Sequence, residues 1–199
     1  MIITIASFKG GVGKTVTAVH LAAFLADQAP TLLLDGDSNR QATEWARGGN
    51  LPFKVADERQ AAKLARDFEH TVIDTQAKPS KEDMRTLAGG CDLLIIPTIP
   101  DALSMSAMLL TVDALRTLKA ESFRILLTIV PPPPNHDAAD ARQSLTAAGL
   151  PLFESEIRRF IAYSKAALAG VIVRDVQDDR AKEAWSDYQR LGNEILKGK

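Results

Sequence analysis

Apolar residues fall into short runs of four to seven positions, separated by longer stretches in which they recur every three or four residues. The runs lie at 2–7, 31–35, 71–74, 93–97 and 124–130, with a weaker one near Phe53. They are apolar on both faces, so each is predicted to be a buried strand of a parallel sheet. Between them, 14–28, 38–47, 58–68, 81–89 and 102–120 are rich in Ala, Leu, Glu and Lys and are predicted helices. Further helices are expected at 137–148, 161–169 and 179–196. This alternation predicts a three-layer α/β fold, a mostly parallel β-sheet with helices on both faces. No repeat and no linker divides the chain, so residues 1–199 are expected to form one domain. The proline run 131–134 is a stiff loop in which no helix can start before its end.

Between the first strand and the first helix stands 7-SFKGGVGKTV-16. Glycines in that context let successive N–H groups turn toward phosphate oxygens, and the helix N-terminus adds partial positive charge. Gly10, Gly11, Val12 and Gly13 would form the cradle. Lys14 would reach the β- and γ-phosphates, and the Thr15 hydroxyl would ligate Mg²⁺. A glycine-rich turn with an incidental lysine explains neither the strand before it nor the Lys-Thr pair and long apolar helix after it. The general phosphate loop begins with glycine where this chain has Phe8, and one lysine suffices for it. Lys9 is therefore unexplained by phosphate binding alone.

The spacing K-G-G-x-G-K-T resembles the deviant phosphate loop (deviant Walker A) of the ParA/MinD family of dimerising P-loop ATPases, and the resemblance covers essentially the whole chain. It implies that Lys9 crosses a dimer interface and touches ATP held by the other subunit, and that Val16, in place of a second threonine, keeps only its backbone N–H near the α-phosphate. In 32-LLLDGDSNR-40, Asp35 and Asp37 match the family's two acids. Asp35 is then expected beside the Mg²⁺ water shell, and Asp37 beside the attacking water. Ser38 and Asn39 replace the usual Pro-Gln. Asp74, ending 71-TVIDTQAKP-79, reads as a Walker B aspartate that holds Mg²⁺ through a water. An alternative for D-G-D-S-N is a turn rich in Asx hydrogen bonds. Pro100 and Asp101 match a loop that faces the partner subunit; Asp101 serves equally as a helix N-cap. Pro131 and Pro132 lie where relatives contact adenine, although a stiff connector has the same composition.

Charge and composition limit these expectations. The formal net charge of −1 gives no global attraction to nucleic acid, so DNA affinity would need a local patch. The resemblance places one at Arg158 and Arg159, in 156-EIRRFIAYSKAALAGVIV-173; solvated ion pairs are the alternative. Basic and acidic residues nearly balance from Leu150 to Lys199, so two patches in a dimer would be needed. Cys91 is the only cysteine, which excludes an internal disulfide and disfavours the cluster-bridging relatives that use two per chain. The three histidines show no metal-ligand spacing. The N-terminus has no basic region before its apolar run, and no segment approaches the roughly 20 apolar residues of a membrane span. A cytoplasmic protein without membrane contact is expected. Trp185, Tyr188, Leu191 and Ile195 are read as a stripe docked on the core rather than a membrane-reading tail. His20 is expected at a solvent-facing edge.

The resemblance implies a ParA-type partition ATPase. ATP and Mg²⁺ would join two copies, the dimer would bind nucleoid DNA nonspecifically, and a ParB-like or cargo adaptor would stimulate hydrolysis. Plasmid or chromosome DNA is the first cargo considered, and a protein compartment such as the carboxysome the alternative. A dethiobiotin synthetase-like ligase would have no use for Lys9.

Overall fold

The computed structural model describes residues 1–120 and 122–198; Lys199, counted in the charge balance, lies outside the described residues. Seven strands form one sheet: β1 (Ile2–Ile5), β2 (Thr31–Gly36), β3 (Lys54–Asp57), β4 (His70–Thr75), β5 (Leu93–Thr98), β6 (Phe123–Val130) and β7 (Leu152–Arg158). Their order is β3-β2-β4-β1-β5-β6-β7, and every neighbouring pair is parallel. The helices are α1 (Lys14–Ala26), α2 (Gln41–Trp45), α3 (Ala61–Leu64), α4 (Lys81–Gly89), α5 (Ala102–Thr117), α6 (Asp137–Ala147), α7 (Ile161–Ala169) and α8 (Ala181–Lys197).

Strand alternation sends side chains to cores on both faces of the sheet. Ile3, Ile5, Leu33, Val72, Ile95 and Leu126 pack with α1, α7 and α8. On the other face, Leu94, Ile96, Ile125 and Leu127 meet Met84 of α4, Met108, Val112 and Leu115 of α5, and Leu145 of α6. Trp185, Tyr188, Leu191 and Ile195 of α8 are buried in the first of these cores.

Four details differ from the sequence expectations. Strand β7 was not anticipated, because it lies at the sheet edge, alternates Phe153 and Ile157 with charged residues, and pairs irregularly with β6. The helix expected at 38–47 shrinks to α2, because residues 38–40 stay in the loop after β2 and a 3₁₀ turn takes over at Ala46–Gly48. The helix expected at 58–68 breaks into Glu58–Gln60, α3 and Ala65–Asp67; α3 has no fully buried residue, and only Ala61 and Leu64 pack, partly buried, on the small cluster of Leu32, Leu34 and Ala56. His20 is fully buried rather than at a solvent-facing edge. Its ring lies 4.9 Å from Tyr188, 5.2 Å from Tyr163 and 5.6 Å from Trp45. Nε2 accepts from the Val173 N–H at 3.0 Å, so Nδ1 carries the proton and donates to the Val16 carbonyl at 2.7 Å. Burial pushes its pKa down to about 4, which keeps the ring neutral.

Candidate functional site

The strand order places β2, β4 and β1 side by side, so the chain segments leaving them share one end of the sheet, where ligands of such folds bind. The loop after β1 turns through Gly11 at φ 75° and Gly13 at φ 82°, left-handed positions that a Cβ would strain. Gly13 is the N-cap of α1 and offers no side chain to the first-turn N–H groups, which leaves them without the side-chain acceptor most helices have. The loop is braced from both sides. The Thr128 hydroxyl of β6 reaches the Val12 carbonyl at 2.9 Å, and Thr111 of α5 accepts from the Phe8 N–H at 3.4 Å. Lys14 is buried, with Nζ 3.4 Å from the Lys9 carbonyl. Desolvation lowers its pKa, against the opposing pull of Asp74 and Asp37. A cation held this way, beside exposed backbone donors, is built to meet an anion.

Asp35 and Asp74 are direct register partners on β2 and β4, and Asp74 also pairs with Ile5 of β1. Both are fully buried, yet their surroundings differ. Asp35 is occupied by protein donors: Oδ1 accepts from the Asp37 N–H at 3.1 Å, and Oδ2 from the Thr43 N–H and hydroxyl at 2.9 and 2.6 Å. It ties β2 to α2, and Oδ1 can accept one further donor. Asp37 is buried at the loop, with Oδ1 accepting from the Asn39 N–H at 2.9 Å.

Among the described residues, neither Asp74 oxygen has a hydrogen-bond partner. Burial pushes its pKa up to about 7; the nearby Thr15 hydroxyl pulls the other way without completing a bond to it, and Asp35 adds to the rise. A buried carboxylate lacking donors, next to the Thr15 side chain, fits a divalent cation delivered with phosphate oxygens. Among the described residues, no group of three or more His, Cys, Asp or Glu could hold a metal by itself.

The buried charge has a cost. Because the folded pKa lies above the unfolded value of 3.8, ionising Asp74 destabilises the nucleotide-free fold progressively from about pH 4 to pH 7. At about 1.4 kcal/mol per pKa unit, the penalty at pH 8 reaches at most about 4 kcal/mol. Asp74→Asn should therefore raise the melting temperature of the nucleotide-free chain at pH 8, and the gain should vanish near pH 4. Thermal melts at both values check this; a variant less stable at pH 8 would contradict the unpartnered carboxylate.

Lys9 turns away from the loop that carries it. Its Nζ donates to the Ser104 hydroxyl at 2.7 Å and lies 3.6 Å from Asp101, on the first turn of α5. Asp101 is also the N-cap of α5, accepting from the Ser104 N–H at 2.8 Å and its hydroxyl at 2.6 Å. The Ser104 hydrogen bond, aided by Lys9, holds the Asp101 carboxyl below the usual range.

A cavity of about 300 Å³ opens beside the loop, lined by Gly13, Val16, Thr128, Ile129, Phe160 and Tyr163. Pro131 and Pro132 line its neighbour, which shares the Arg159–Phe160 wall. The two arginines have different surroundings. Arg158 places its guanidinium between Glu183, at 2.6 Å, and fully buried Asp187, at 2.7 Å. Arg159 is exposed, and its side chain makes no ion pair among the described residues. Thr43, Ser104, Thr128 and Asp187 went unnoticed in the sequence, because each acts through a residue distant along the chain.

A parallel sheet with a glycine loop capping its first helix, a buried lysine in that loop and aspartates on the adjoining strands define a P-loop nucleotide-binding protein. The CobQ/CobB/MinD/ParA nucleotide-binding domain matches residues 3–197, and the chain belongs to that family. It is 33% identical over 201 residues to maintenance of carboxysome distribution protein A of Gloeobacter kilaueensis, covering 98% of this chain and 93% of that one. It is 28% identical to protein ParA of Rhizobium radiobacter, covering 82% and 80%. The fold is similar to a putative plasmid partition protein of Borrelia burgdorferi bound to AMPPNP, with a TM-score of 0.75, 18% identity and 100% and 99% of the chains covered.

Proposed function

We propose that the chain is a ParA-type partition ATPase. Two copies face each other across ATP and Mg²⁺, bind DNA nonspecifically, and hydrolyse ATP when an adaptor protein engages them. The observation that carries this is the division of labour between two lysines: Lys14 is buried in its own loop, whereas Lys9 directs its charge outward to α5. In the proposed dimer Lys9 leaves Ser104 and Asp101 to meet the nucleotide of the other copy. The N–H groups from Gly10 to Val16 and the Lys14 ammonium bind the phosphates. Thr15 and Asp74 would hold Mg²⁺, which when bound would neutralise charge developing on the phosphate oxygens. Asp35 keeps α2 in place through Thr43, and Asp37 orients the attacking water. The base lies against Pro131, Pro132 and Phe160.

The nonspecific DNA contact is assigned to Arg159, since Arg158 already neutralises two carboxylates. Arg159→Glu should keep ATP-dependent association and lose DNA retention. Arg158→Glu would set a third carboxylate beside Asp187 and Glu183 and should lower the melting temperature instead. Wild-type DNA affinity should fall by roughly 0.9 log units per log salt for each phosphate neutralised. A gel shift across a salt series is the test: DNA retention by Arg159→Glu equal to wild type, or a flat salt response, would overturn the assignment.

Plasmid or chromosome DNA is one cargo. The relative at 33% identity supports a second to the same extent, a protein compartment such as the carboxysome. The adaptor decides between them, according to whether the protein that stimulates hydrolysis binds a centromere-like DNA site or a compartment shell. Among the described residues no helix is long and apolar enough to cross a membrane, and the proposed place of action is the nucleoid.

A further inference from the structure

The loop joining β2 to α2 holds one residue in a backbone conformation that its side chain opposes. Arg40, the N-cap of α2, has φ 53° and ψ 37°, a left-handed geometry that glycine adopts freely and a Cβ resists. Its guanidinium reaches back across the loop. Nη1 donates to the Asp35 carbonyl at 2.5 Å, and Nη2 pairs with Asp57 Oδ2 at 2.7 Å. The Arg40 N–H donates to the Asp37 carbonyl at 3.0 Å, and its carbonyl accepts from the Glu44 N–H at 2.9 Å. Asp57 lies directly opposite Asp35 in the register of β2 and β3, and its Oδ1 is fixed by the Arg59 N–H at 2.9 Å. One arginine thus ties residues 35, 37 and 57 together, and Asp37 is held besides by its own N–H on Asp35 Oδ1, at 3.1 Å.

We infer that Arg40 and Asp57 form a clamp that sets where the Asp37 carboxylate stands during hydrolysis, with Arg40 as a positioning residue. The role rests on the ATP hydrolysis proposed above. The edge strand β3, which contributes nothing to the phosphate loop, would thereby influence turnover while leaving nucleotide affinity alone. Planar bidentate geometry explains why arginine suits the position: its two nitrogens serve a carbonyl and a carboxylate at once, which a lysine ammonium on a flexible stem does less well. Glycine at position 40 would ease the backbone and release the loop.

The test compares wild type with Arg40→Gly, Arg40→Lys and Asp57→Asn for ADP affinity, by calorimetry, and for kcat. Arg40→Gly and Asp57→Asn should each keep ADP affinity within about threefold and lower kcat at least about tenfold, because small displacements of a reacting group are costly. The double variant should lose no more than either single one, since both break the same pair. Arg40→Lys should recover part of kcat. Wild-type kcat in Arg40→Gly, or additive losses in the double variant, would overturn the clamp. Wild type turning over no faster than Lys14→Ala would instead sink the proposed hydrolysis. The clamp is then decided by amide exchange of residues 36–43, where faster exchange in Arg40→Gly supports it and unchanged exchange overturns it.

Discussion

ADP affinity is expected to fall at least about 100-fold when Lys14 is replaced by alanine. The ammonium is buried within the field of Asp74 and Asp37 and, among the described residues, has only the Lys9 carbonyl, at 3.4 Å, as a hydrogen-bond acceptor, so its donors are available to the β- and γ-phosphates. Two charge-assisted hydrogen bonds at about 1.5–3 kcal/mol each account for a loss of that size, since 1.4 kcal/mol is about tenfold. The glycine-loop N–H groups remain and would leave weak residual binding. Calorimetry with ADP is the measurement, accompanied by a thermal melt to establish that the variant is folded. A folded Lys14→Ala with wild-type affinity would remove the phosphate-loop assignment.

The second large effect is expected at Lys9. Lys9→Ala should bind ADP as wild type does, because its side chain points to Ser104 and Asp101, and the carbonyl that meets Lys14 survives the substitution. Association driven by ATP should disappear, and adaptor-stimulated turnover should fall by about 10³ or more, the scale of a cation supplied in trans. A lysine that serves only to brace α5 predicts normal association and turnover, with a small loss of stability. Mixing Lys9→Ala with Asp37→Ala separates the two cases. A heterodimer keeps one Lys9 over the nucleotide of the Lys9→Ala subunit, whose own Asp37 is intact, so one site should regain hydrolysis. Heterodimers demonstrated by mass but without recovered activity would count against action across the interface.

The legible parts of this chain were those encoded by neighbouring residues. The glycine loop is contiguous, and its two lysines can be read without knowing where the sheet runs. The strands ending at Asp35 and Asp74 stood out because both faces of each are buried. What escaped was encoded by contacts across the fold. Strand β7 has one neighbour and a mixed pattern, so its polarity resembles that of a loop. His20 looked solvent-facing because its cover, Tyr188, arrives on the last helix. Arg158 and Arg159 are adjacent in sequence and equally basic, yet β7 turns one toward Asp187 on α8 and leaves the other exposed. Thr43, which meets Asp35 from α2, carries no signal of that contact in the sequence.

That ATP joins two copies of this chain is tested most directly by its mass in solution, measured by light scattering with Mg²⁺ and either ATP, ADP or no nucleotide. The expected result is about twice the 21.6 kDa chain mass with ATP, and the single-chain mass with ADP and without nucleotide. The same mass in all three conditions would contradict a nucleotide-gated dimer.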